Sequence, residues 1–123
     1  MMRALARIFS LLLFASSAAA HEVRPALLKV TEVSDGTYLV QWKVPASGDQ
    51  RLAIDPVFSP QFKASDDRVN GFASGASVRS WHIGSDTSLA DTDIAFSNLS
   101  STMIDVLVQI TFLDGRYYTN LVR

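Results

Sequence analysis

Apolar and polar positions alternate with a period of two along most of the chain. That is the spacing of a strand with one buried face. In Thr37 to Val44, Tyr38, Val40, Trp42 and Val44 share one face, and Thr37, Leu39, Gln41 and Lys43 share the other. In Thr102 to Leu113, Ile104, Val106, Val108, Ile110 and Phe112 alternate against Met103, Asp105, Leu107, Gln109 and Thr111. Ala26 to Val33 precedes the first of these runs across Asp35-Gly36, and Arg116 to Val122 follows the second across Asp114-Gly115. Asp-Gly between two such runs predicts a hairpin, because glycine accepts positive φ without steric cost. Trp42 is expected to be a packing anchor of the core.

Between the hairpins the pattern is weaker. Pro45 to Gln50 reads as a loop and Arg51 to Asp55 as a short strand stopped by Pro56. Val57 to Asp67 has no sustained period and is expected to cross between sheets, with Phe58 and Phe62 tucked beneath. Arg68 to Ser77 reads as a loop, and Val78 to Ile83 as a strand with Arg79, Trp81 and Ile83 on one side. Gly84 to Thr92 is turn-rich, and Asp93 to Leu99 enters a further short strand. About seven short strands without a helix predict a small antiparallel β-sandwich of the all-β class, immunoglobulin-like in arrangement. The opening hairpin is expected to supply one edge of its interior.

The first twenty residues stand apart. Arg3 and Arg7 precede the apolar run Ile8 to Ala15, and Ser16 to Ala20 ends it with small residues. That is the pattern of a secretory signal peptide, with Ala18 and Ala20 where signal peptidase reads. The apolar run is too short to cross a bilayer. The expected organisation is a signal peptide over 1–20 and one β-sandwich domain over 21–123, in the periplasm or another extracytoplasmic space. Loss of Arg3 and Arg7 leaves 9 of the 11 Lys and Arg against 12 Asp and Glu, a formal charge of −3. No basic stripe supports a nucleic-acid partner. The chain has no cysteine, so no disulfide contributes to its stability.

Two motifs carry a family resemblance. The mature chain opens with His21-Glu22-Val23-Arg24-Pro25-Ala26, and the first hairpin ends in Trp42-Lys43-Val44-Pro45. With the closing run MIDVLVQITFLDGRYYTNLV, these resemble the extracytoplasmic N-terminal region of HupE/UreJ-type bacterial membrane proteins. In that family the region precedes a bundle of transmembrane helices associated with nickel or cobalt uptake, and the metal-handling motifs lie in the membrane part. The resemblance implies a soluble outer domain acting with a polytopic membrane permease. No transport residue carries over, because the positions that would match do not occur in this sequence.

Candidate chemistry is sparse. Cleavage after Ala20 would place the α-amine and imidazole of His21 together, a chelating pair for Cu(II) or Ni(II), and His82 is the one other histidine available as a further nitrogen ligand. Against this, His82 alternates with Trp81 and Ile83 and so is expected on the solvent face. Asp86, Asp91 and Asp93 carry oxygen ligands but lack the spacing and glycine of a calcium loop, and Asp66-Asp67 reads as a charged loop tip. No nucleophile elbow, phosphate-binding glycine loop or metalloprotease helix occurs. The expected protein is a non-catalytic accessory domain, with a stand-alone copper or nickel carrier as the alternative.

Overall fold

The computed structural model describes residues 24–47 and 50–123. They form ten strands in two layers of unequal size. β1 (Ala26–Ser34), β2 (Thr37–Ser47), β7 (Ala76–Gly84), β9 (Val106–Thr111) and β10 (Tyr117–Val122) build the large sheet in the order β10-β9-β1-β2-β7. Short strands β5 (Lys63–Ala64) and β6 (Val69–Ala73) pair with the far edge of β7, and β3 (Gln50–Arg51) pairs with the end of β2. The second layer is a ribbon of β4 (Asp55–Phe58) and β8 (Ile94–Ser97). Single 3-10 turns at Leu89–Asp91 and Leu99–Ser101 extend it.

The fold is therefore an all-β sandwich, as the alternation predicts, but its layers are eight strands against two rather than matched sheets. The opening hairpin lies in the middle of the sheet and not at its edge. β1 is antiparallel to β2 and parallel to β9, with Ala26 opposite Val106 and Val30 opposite Ile110. A parallel pair needs a crossover, and here the whole chain from β2 to β9 makes it.

Both Asp-Gly turns form, with Gly36 at φ 75° and Gly115 at φ 90°. Glu32 ties the two together: its carboxylate accepts the N–H of Gly36 at 3.4 Å and that of Leu113 at 2.9 Å. A third hairpin appears where a loop was expected over Arg68 to Ser77. β6 and β7 join through Ser74 and Gly75, at φ 51° and 74°. Both central residues thus have positive φ, the requirement of a type I′ turn. β6 is exposed along its whole length, so no hydrophobic alternation marked it.

The core lies between the layers. Ala26, Leu28 and Val30 of β1, Tyr38, Val40, Trp42 and Val44 of β2, and Val106, Val108 and Ile110 of β9 are buried. Ile54, Phe62, Leu89, Ile104 and Phe112 close over them. Two aromatics on β2 fix this cover with their polar tips. Trp42 Nε1–H donates to the carbonyl of Ile54 at 3.1 Å, and Tyr38 Oη accepts the N–H of Leu89 at 3.1 Å. A buried indole or phenol needs such a partner, and here the partners are the chain segments crossing above. Phe96 of β8 stacks on Trp42 with ring centroids 5.7 Å apart.

Candidate functional site

The second layer packs on one face of the large sheet, and among the described residues nothing packs on the other. The other face carries the second half of every alternating pattern, and the strand register arranges it in rows. One row runs Leu121, Leu107, Leu27, Lys43 and Val78 from β10 to β7. The next runs Thr119, Gln109, Lys29, Gln41 and Ser80, and the third Tyr117, Thr111, Thr31, Leu39 and His82. Leu27, Leu39 and Leu107 are half-buried by their neighbours alone, while Lys29, Gln41 and Lys43 are exposed. Adjacent side chains on a pleated face shield one another in this way. No carboxylate stands in these three rows, and the two lysines lie at their centre; Asp105 and Asp67 stand at the margins of the face.

His82 occupies the β7 end of this face. Its ring Nδ1 bonds Asp67 Oδ2, and its backbone N–H donates to Asp67 Oδ1 at 3.2 Å. Ser65 completes the cluster: its hydroxyl donates to Asp67 at 2.5 Å, and its backbone N–H donates to the carbonyl of His82 at 2.9 Å. The Ser65 hydroxyl, followed by the His82 imidazole, holds the Asp67 carboxyl well below the usual carboxylate range. Asp67 is thus a clasp between the β5–β6 connection and β7 rather than a loose loop tip. In the neutral ring with its proton on Nδ1, that N–H donates to the carboxylate and the Nε2 lone pair is left free. Ligating histidines are oriented by just such a carboxylate.

His21, the other expected metal ligand, lies outside the described residues. Among the described residues no group of three or more histidine, cysteine, aspartate or glutamate side chains could hold a metal ion. Asp86, Asp91 and Asp93 are not brought together. Asp86 joins Glu32, Asp35 and Asp114 around an open cleft at the Asp-Gly end of the sheet, while Asp93 lines a groove between β8 and β10. Asp114 is held below the usual carboxylate range, chiefly by the backbone N–H of Arg116.

One ionic contact escaped the sequence pattern. Arg79 sits on the covered face of β7 and pairs with Asp55 of β4, which also meets Arg51 at 3.4 Å. The guanidinium of Arg68 lies over Trp81, 4.7 Å from the ring centroid. Arg79 is half-buried, and its Nε has no partner among the described residues. Nothing local to Asp55 or Arg79 announces a contact between residues 24 positions apart.

Fold and surface together define the class: an all-β sandwich with one sheet face left open among the described residues. The sequence matches no protein-family model, no curated protein and no solved structure. Among the described residues no helix is long and apolar enough to cross a membrane.

Proposed function

We propose that the chain is an exported, non-catalytic interaction domain whose open sheet face meets the outer surface of a polytopic membrane permease, in the service of nickel, cobalt or other metal uptake. The observation that carries this reading is the open face itself: it runs across β10, β9, β1, β2 and β7, apolar at Leu27, Leu39, Leu107 and Val78, and cationic at Lys29 and Lys43. A non-obligate protein contact is about as apolar as the rest of a protein surface, and a face that mixes leucines with lysines and amides suits one. The leader pattern and the resemblance to HupE/UreJ-type outer domains supply the location and the kind of partner. The partner surface that fits is apolar with carboxylates placed to meet the two lysines. A photo-reactive amino acid at Gln41, at the centre of the face, is expected to yield an adduct with a polytopic membrane protein in living cells. The same probe at Asp35, at the hairpin tip, is expected to yield none. Equal adducts from both positions, or none from Gln41, would contradict the reading.

A second reading, a periplasmic carrier of Cu(II) or Ni(II), is favoured by one observation, the Asp67–His82 pair with its free Nε2. The amine and imidazole of His21 would provide the other nitrogens of a tetragonal site. Titration calorimetry on processed protein is the check. A copper affinity that falls at least about tenfold in His82→Ala supports a carrier; an affinity equal to that of a free His-led peptide rules it out.

A further inference from the structure

One edge of β10 pairs with β9, and the other meets no strand among the described residues. We propose that this edge pairs antiparallel with the same edge of a second copy of the chain, about a two-fold axis at Thr119. The inference goes beyond the permease-binding reading and does not rest on it.

The backbone sets the register. The N–H of Phe112 donates to the carbonyl of Arg116 at 2.8 Å, so Arg116 turns its backbone polar groups toward β9. Alternation then turns Tyr118, Asn120 and Val122 the same way, and Tyr117, Thr119 and Leu121 toward the open edge. A two-fold at Thr119 sets Thr119 against its own copy and Tyr117 against Leu121 of the second copy, twice. These are three narrow pairs, each able to exchange two N–H···O bonds.

The side chains suit this pairing. Tyr117 and Leu121 are 58% and 43% exposed on the same sheet face and would cover one another across the axis. Aromatic–aliphatic cross-strand pairs of this kind are favourable. Arg123 is 78% exposed and stands 3.8 Å from Asp105. In the antiparallel register it falls opposite Gly115 of the second copy, beside an Asp114 carboxylate that already bonds its own Arg116 at 2.7 Å, so the pairing rests on the backbone and the Tyr117–Leu121 contact rather than on charge. Natural edge strands are usually blunted by proline, lysine or a bulge, and β10 has none of these. The product is one continuous sheet whose open faces lie side by side.

Sedimentation of the wild-type protein between about 1 and 300 µM tests the pairing, the range set by the modest area of a strand-edge contact. A reversible rise from monomer to dimer is expected. Thr119→Cys, in a chain with no other cysteine, is expected to form an intermolecular disulfide under mild oxidation, since narrow-pair Cα atoms stand about 5.5 Å apart. Val69→Cys, on the opposite edge strand, is expected to form none. Thr119→Pro deletes an N–H that bonds only across the axis and should weaken association at least tenfold without lowering the melting temperature of the dilute monomer. A wild-type protein that sediments as a monomer throughout, or cross-linking at Val69→Cys as efficient as at Thr119→Cys, overturns the proposal.

Discussion

Trp42 joins packing and polarity in a single side chain. It is fully buried, stacks on Phe96 and supplies the proton that holds the Ile54 carbonyl. Trp42→Ala should cost about 3–5 kcal/mol by chemical denaturation, from lost transfer free energy and the cavity left behind. Trp42→Phe keeps most of the apolar contact but orphans a buried carbonyl, so a smaller loss of about 1–3 kcal/mol is expected. If Trp42→Phe were as stable as the wild type, the indole hydrogen bond would not anchor the second layer. Trp42 was legible as a core residue from alternation alone. Its bond to Ile54 was not, because no local pattern says which loop crosses above a given side chain.

Asp67 makes a different residue-scale prediction. Its carboxyl is held below its unfolded value by Ser65 and His82. The ionised form is therefore the one favoured by folding. Its contribution is complete above the unfolded pKa of about 3.9 and is lost as pH falls through the lower folded value. Melting temperatures of wild type and Asp67→Asn, measured from neutral pH down to pH 2, should differ most above pH 4 and converge in acid. A gap that widens on acidification would contradict the clasp. Asp66-Asp67 looked like a solvated tip because its partner, His82, is fifteen residues away on another strand.

Among elements, the hairpins show what turn chemistry makes visible. Asp35-Gly36 and Asp114-Gly115 announced their turns, and both glycines take positive φ. At Gly36 the demand is also spatial, since a Cβ there would stand 2.5 Å from the carbonyl oxygen of Ser85. Gly36→Ala should therefore destabilise by more than about 1 kcal/mol. Gly71→Ala, in β6 with nothing within 4 Å of the new methyl, should change stability little. Parallel thermal melts of the two variants provide the check, and equal losses would remove the case for a close approach at Gly36. The Ser74-Gly75 hairpin was hidden because β6 buries no face, so its register is set by β7 rather than by a core pattern. The position of β1 was hidden for a related reason. Alternation fixes which residues face inward and says nothing about which distant strand lies alongside, so the parallel partner β9 emerged only in the fold.

At the scale of the whole molecule, unequal layers decide what the protein offers to others. The second layer packs on one face of the large sheet, and the centre of the other face gathers Lys29, Lys43 and the half-buried leucines, with Asp105 and Asp67 at its margins. Net charge read from composition gave no hint of this, because the acids collect elsewhere, several of them around the cleft at the Asp-Gly turns. Hydroxyl-radical footprinting of the protein, alone and with membranes from its own cells, tests the central claim most directly. Met103, 98% exposed and outside the sheet, serves as the internal control. The account predicts that Leu39 and Val78 become protected in the presence of membranes while Met103 is oxidised as before. Equal oxidation of Leu39 and Val78 in both samples would contradict it.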